Sequence, residues 1–106
     1  MDIQMKKGFL EAGVLFNLDK GDSYGYRITT DINRVIPIQE TTLYPVLRRL
    51  ENQGALRTYT MEYNGRLRKY YSITEHGKKQ CESLRSDLID MKDVIDQLLM
   101  IKEVQA

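Results

Sequence analysis

Three stretches of this 106-residue chain predict a mainly α-helical fold carrying one small β-hairpin. Residues 40–53 place apolar side chains at helical spacing, residues 56–73 gather β-branched and aromatic residues around Asn64-Gly65, and residues 74–102 repeat apolar positions in steps of three and four. A compact helical unit with a hairpin beside its last helix, followed by one long helix, satisfies all three.

The first helix is read from Phe9, Leu10, Gly13, Val14, Phe16 and Leu18, closed by the Lys20-Gly21-Asp22 break. Its apolar arc is wide, so it should be covered on more than one side. Residues 23–35 supply the second helix, with Ser23 as N-cap and Tyr26, Ile28, Ile32 and Val35 as a partly apolar face. Gly25 leaves room for another backbone or a phosphate, or equally for close packing. Ile36-Pro37-Ile38-Gln39 cannot stay helical ahead of the proline, which places the turn between second and third helix there.

In the third helix Leu43, Val46, Leu47 and Leu50 fall at i, i+3, i+4 and i+7, one face that should be buried. Gly54 is positioned to end it near residue 53. With a start near Glu40, the ring of Pro45 faces only the first turn and removes one early backbone bond, a mild distortion. The other face holds Glu40, Thr41, Tyr44, Arg48, Arg49 and Asn52, a set of mixed hydrogen-bonding groups suited to reading base edges. Arg48 and Arg49 stand about 100° apart on a helix. One should face DNA and the other pair with an acidic neighbour.

After Gly54 the residues Leu56, Thr58, Tyr59, Thr60 and Tyr63 lead into Asn64-Gly65, and Leu67, Tyr70, Tyr71 and Ile73 lead out, a strong hairpin signal. Its tip and return strand carry Arg66, Arg68 and Lys69. Strand alternation puts Arg66 and Arg68 on one side and Lys69 on the other. The whole is a winged helix-turn-helix: a helix for the major groove, and a basic wing whose phosphate contacts add affinity but little sequence information. Arg66, at the turn, is best placed to reach a minor groove.

From Thr74, an expected N-cap, the last helix carries Cys81, Leu84, Leu88, Met91, Ile95 and Leu98 as a coiled-coil-like seam. A helix of about 28 residues would be about 42 Å long, more than a small body can cover. Leu84, Leu88, Met91, Ile95 and Leu98, with Phe9 and Phe16 of the first helix, are therefore expected to form a dimer interface. Folding back onto the chain's own first helix is the alternative, and both can hold together. The division expected is a DNA-binding domain over residues 1–74 and a dimerisation helix over residues 75–106.

Composition fits a single small domain whose lone-protomer core would be marginal. One cysteine cannot form an internal disulfide, Met1 to Lys7 are polar, and neither a signal-peptide pattern nor a membrane-length apolar run is present, so a cytoplasmic location is expected. The net charge is only +1, yet residues 48–71 hold six basic side chains against two acidic ones, while residues 75–106 hold seven acidic against five basic. Positive charge collects on the expected reading element. His76 and Cys81 lack partners for metal or catalytic chemistry, with His76 expected in solvent and Cys81 in packing rather than redox switching. No cofactor, metal or enzyme motif emerges. A protein-interaction module on the same scaffold is the competing reading, and the clustered cations of the wing argue against it.

Tyr24-Gly25-Tyr26, then Thr42-Leu43-Tyr44-Pro45 with Arg49-Leu50-Glu51 and Gly54, then Gly65-Arg66-Leu67-Arg68-Lys69-Tyr70-Tyr71 with Thr74 and Gly77, resemble in order and spacing the PadR family of bacterial transcriptional regulators, over roughly residues 9–80. The resemblance implies a homodimer that represses a promoter, often its own, and releases DNA when a small molecule binds. The single short C-terminal helix is similar to the compact branch that includes multidrug-sensing members. It further implies that Thr41, Thr42 and Tyr44 meet phosphates or base edges, with an internal hydroxyl bond as the alternative for Tyr44, and that Tyr24 is a contact and Tyr26 a core residue, with the reverse assignment as the alternative. Glu40 and Thr41 stand where small residues are common in the family, so the operator sequence does not carry over. The chain has no tryptophan, which tells against an aromatic drug sandwich. Met5, Phe9, Phe16, Leu88, Met91, Ile95 and Leu99 are candidates to line an apolar effector cavity between subunits, against ordinary helix packing as the stronger alternative.

Overall fold

The computed structural model describes residues 3–105. In chain order it contains α1 (Ile3–Asp19), β1 (Ser23–Tyr24), α2 (Gly25–Asn33), α3 (Glu40–Asn52), β2 (Leu56–Tyr63), β3 (Arg66–Ile73) and α4 (Glu75–Gln105). The strands form an antiparallel sheet in the order β1-β3-β2. Helix α1 reaches further toward the N-terminus than its apolar run because Gln4, Met5, Lys6 and Lys7 are all good helix formers. Met1 and Asp2 lie outside the described residues.

Helix α1 is the centre of the core. Leu10, Val14, Leu15 and Leu18 are at most 1% exposed and pack among Ile28 and Ile32 of α2, Leu43, Val46, Leu47 and Leu50 of α3, Leu56, Tyr71 and Cys81. Its wide apolar arc is thus covered from several sides. The four spaced residues of α3 are the four it buries.

Residues 23–35 depart from the sequence reading. Ser23 is not an N-cap: Ser23 and Tyr24 pair with Tyr71 and Tyr70 of the hairpin, and Tyr24 occupies the cap position with no side-chain cap bond. The exposed edge of β3 offers backbone partners that a helix start would not. Tyr26, about 200° round the helix from Ile28, is 67% exposed. Val35 is 83% exposed because α2 has already ended at Asn33, and Ile36 enters the core instead. The turn is held by the Ile38 amide donating to Asn33 Oδ1 at 2.8 Å.

The end of α3 is a Schellman cap. Gly54 takes φ 79°, the Gly54 amide donates to the Glu51 carbonyl, and the Ala55 amide donates to the Leu50 carbonyl at 2.9 Å. The hairpin closes with Asn64 at φ 52° and Gly65 at φ 79°, the type I′ geometry that matches strand twist. Thr74 caps α4: its hydroxyl accepts the Gly77 amide at 3.0 Å and donates to the Gly54 carbonyl at 2.6 Å. The first half of α4 lies on α1, with Cys81 buried, Leu84 and Leu88 half-buried, and Arg85 over the Phe16 ring. From Met91 every described side chain is exposed, and the molecule measures 61 × 27 × 20 Å. Among the described residues no helix is long and apolar enough to cross a membrane.

Two helical glycines should respond oppositely to alanine. A Cβ on Gly77 would collide with the Ala55 carbonyl oxygen and lie 2.8 Å from Cγ1 of Ile73, whereas one on Gly8 meets nothing within 4 Å. Gly77→Ala should lose roughly 1–3 kcal/mol through overpacking against backbone, and Gly8→Ala should gain about 0.5–1 kcal/mol through lower unfolded-state entropy. Urea unfolding of both variants measures this; equal stabilities would refute the close approach at Gly77.

Candidate nucleic-acid interface

Burial of Leu43, Val46, Leu47 and Leu50 decides which side of α3 faces outward. At about 100° per residue, the positions opposite that face are Thr41, Pro45, Arg48 and Asn52, and all four are exposed. Arg48 has no carboxylate partner among the described residues. Arg49, one step round, is held differently: its Nη2 lies 2.7 Å from Glu11 Oε1 of α1, and its Nε donates to the same oxygen at 2.8 Å. The adjacent arginines thus divide as their angular separation requires, and Arg49 is turned toward α1. Thr42 is exposed on the Arg49 side of the stripe.

Tyr44 flanks the stripe on its other side. Its hydroxyl donates to Glu40 Oε2 at 2.9 Å, a bond that, with partial burial, holds the phenol above its usual pKa and neutral. Its ring covers Gly25, where a Cβ would stand 2.9 Å from the hydroxyl oxygen and 3.0 Å from a ring carbon. The room that Gly25 leaves is therefore filled by a side chain of α3. Gln39, the N-cap of α3, makes no side-chain cap bond, so its first amides remain available to an anion.

The wing stands across a groove of about 620 Å³ lined by Tyr24, Gly25, Tyr26, Tyr44, Asn64 and residues 66–69 among others. Arg66 beside the turn and Lys69 on the opposite strand face are exposed, Lys69 with its Nζ 5.3 Å from the Tyr71 ring centre. Neither has a carboxylate partner among the described residues. Arg68 is only half-exposed, with Cζ 4.0 Å from the ring centres of both Tyr24 and Tyr63. The expected roles of Tyr24 and Tyr26 are exchanged in burial: Tyr24 is half-buried against Tyr70, edge to face at 5.6 Å, while Tyr26 is open to the groove.

Sequence reasoning missed the rest of this aromatic system. Tyr59 stacks on Tyr70 at 5.6 Å and 11°, and its hydroxyl donates to Asp22 Oδ2 at 2.6 Å. That bond lowers the Asp22 carboxyl pKa and raises that of the Tyr59 phenol. The signal was present: a two-residue turn at Asn64-Gly65 fixes the register that pairs Tyr59 with Tyr70. Glu11 as the partner of Arg49 had no comparable signal, since the two lie 38 residues apart.

Away from the groove, Phe9, Phe16 and Leu88 line an apolar depression of about 320 Å³ with Ile32, Val35 and Ile36. Of the candidate effector residues, Phe9, Phe16 and Leu88 belong to it, whereas Met5, Met91, Ile95 and Leu99 are exposed on α1 and α4. Leu98, the last seam residue, is also exposed. His76 is exposed, and burial of Cys81 raises its thiol pKa, which leaves little thiolate for redox chemistry. Among the described residues no cluster of His, Cys, Asp and Glu could hold a metal.

Comparison with known proteins agrees with this geometry. A model of the transcriptional regulator PadR-like family matches residues 14–83. An uncharacterised protein of Lysinibacillus sphaericus is 35% identical over 95 residues, spanning 85% of this chain and 87% of that protein. A solved structure from Streptococcus mutans is 40% identical, with 89% of each chain covered and a TM-score of 0.84. A PadR family transcription regulator from Clostridium difficile is 29% identical, covering 86% of this chain and 98% of its own, with a TM-score of 0.80. With a buried apolar face on α3, a basic wing beside it and the family model spanning both, the chain belongs to the PadR-like family of transcriptional regulators, not to an enzyme family.

Proposed function

We propose that this regulator is a cytoplasmic homodimer that binds a specific double-stranded operator, represses the promoter it occupies, and is released by a small apolar effector. The observation that carries the DNA reading is the flanking of one groove by two kinds of group. Tyr44 lines it from the recognition helix, with the exposed Arg48 one turn beyond, outside the lining, while Arg66 and Lys69, which have no carboxylate partner among the described residues, line it from the wing. The first set suits base edges and the second suits phosphates. Thr41 and Thr42 at the start of α3 add hydroxyls near its open amides.

Dimerisation is supported by the unpartnered half of α4. Met91, Val94, Ile95, Leu98 and Leu99 share one side of it and are all exposed, at 44–59%. Water does not leave such a stripe bare at low cost. Residues 1–74 would then be the DNA-binding part and residues 75–106 the part that joins subunits. Two-fold symmetry would match a palindromic operator. Phe9 and Leu88 already line one depression of the protomer; Met5, Met91 and Ile95 would join them across that interface, which is where an apolar effector would act.

The first test titrates the protein against DNA from upstream of its own gene and against scrambled DNA of equal length, at two salt concentrations. Preference for the upstream DNA with a steep salt dependence supports a local regulator, and an absence of binding at low salt refutes the DNA reading in favour of a protein-interaction module. Arg66→Ala should weaken binding to both DNAs alike and lower the salt slope by about one unit. Arg48→Ala should instead relax discrimination at one base pair by about 1–3 kcal/mol. Ile95→Asp should yield monomers in sedimentation at micromolar concentration without loss of helix content. Persistence of the dimer would move the interface off α4.

A further inference from the structure

We infer that Arg68 is a positioning residue, clamped between Tyr24 and Tyr63 so that it fixes the angle of the wing to the body and thereby aims Arg66 and Lys69 at DNA. The inference rests on the DNA-binding reading of the groove. It differs from it in removing one of the wing's three cations from the phosphate contacts.

The need for such a clamp follows from the sheet. Strand β1 supplies only Ser23 and Tyr24, which pair with Tyr71 and Tyr70, so no third strand accompanies β3 from Lys69 to Arg66. Beyond that point the wing is a two-stranded ribbon, a structure that is marginal in water without further packing. Yet this ribbon holds the cations that must meet DNA. Pairing of Tyr63 with Arg66, Met61 with Arg68 and Tyr59 with Tyr70 sets Tyr59, Met61, Tyr63, Arg66, Arg68 and Tyr70 on one face. Tyr24, opposite Tyr70 on the other side, shares that face.

A continuous chain of contacts results. Tyr63 at the tip lies under the Arg68 guanidinium, which lies over Tyr24; Tyr24 meets the edge of Tyr70, Tyr70 stacks on Tyr59, and the Tyr59 hydroxyl donates to Asp22 in the loop before β1. The tip is thus tied to the body through Arg68. A planar, weakly hydrated guanidinium can lay its faces against two rings at 4.0 Å each, whereas an ammonium has no flat face to stack and holds its water more strongly. Its guanidinium is held between those rings, whereas Arg66 and Lys69 are exposed and have no carboxylate partner among the described residues, Lys69 standing more loosely over Tyr71 at 5.3 Å.

The test compares Arg68→Gln, Arg68→Lys, Tyr63→Leu and the Tyr63→Leu/Arg68→Gln double variant, using a mixed-sequence duplex over a range of salt. Urea unfolding of each confirms the fold, and Tyr63, half-exposed at the tip, can be changed without opening the core. Arg68→Gln and Tyr63→Leu should each weaken binding by about 3- to 30-fold. The double variant should be no weaker than the singles, Arg68→Lys should not recover affinity, and the salt slope should change by well under one unit. In the free wild-type protein, side-chain proton resonances of Arg68 should be displaced upfield by the two rings. A slope lowered by about one unit in Arg68→Gln and restored in Arg68→Lys would make Arg68 a phosphate contact and overturn the inference. DNA binding with undisplaced Arg68 resonances would remove this role alone, whereas a wild-type protein that binds no duplex would remove the DNA reading with it.

Discussion

The fold turns on one backbone knot where α3 ends, β2 begins, β3 ends and α4 begins. Ala55 donates to the Leu50 carbonyl and accepts the Thr74 amide at 3.0 Å, Thr74 bonds the Gly54 carbonyl, and Gly77 donates back to the Thr74 hydroxyl. Gly54 is needed for its positive φ and Gly77 for the approach of α4 to the Ala55 carbonyl. Helix α3, the wing and α4 therefore leave one small region at set angles. The buried amide and carbonyl of Ala55 would cost about 1–3 kcal/mol each if left unpaired, which makes the three directions interdependent rather than separately adjustable.

That knot and the core around α1 leave two parts of the molecule outside their reach, the tip of the wing and the second half of α4. The two differ in chemistry as they differ in proposed partner. The tip is rich in cations and aromatic rings, suited to a charged surface that is itself hydrated. The free half of α4 shows a broad apolar side instead, with Asp90, Asp93 and Asp96 away from it. Acidic groups there oppose stray contact with nucleic acid, and the apolar side favours another protein surface.

Much of this was legible in the sequence because it depends on local periodicity. Leu43, Val46, Leu47 and Leu50 name the buried face of α3 by spacing alone, Gly54 names its end, and Asn64-Gly65 names the turn and with it every pair in the hairpin. What the sequence concealed depends on tertiary partners. Ser23-Tyr24 carries no strand pattern of its own and becomes β1 only because the edge of β3 is open to it. Val35 looked like a helix face residue, but the helix stops two positions earlier under the influence of Pro37 and the Asn33 bond. Spacing requires Arg48 and Arg49 to part, but not that Arg49 is the one paired, nor that its partner is Glu11, far off in sequence. Arg68 looked like its neighbours Arg66 and Lys69, since composition does not reveal which cation has rings beside it.

The Arg49–Glu11 pair also gives physical content to the proposed coupling between effector and operator. Helix α1 is touched by α4 along one side and is tied to α3 through this pair and through the shared apolar core. A ligand lodged between α1 and the α4 of a second subunit would have no soft element to deform, because packed helices shift as bodies rather than stretch. In a dimer two recognition helices must sit one helical turn of DNA, about 34–36 Å, apart or at a multiple of it. A small rotation of each body about the α4 axis changes that separation at once for both half-sites. Release would then require only that the two reading helices lose their common register, with neither the helix nor the wing unfolding.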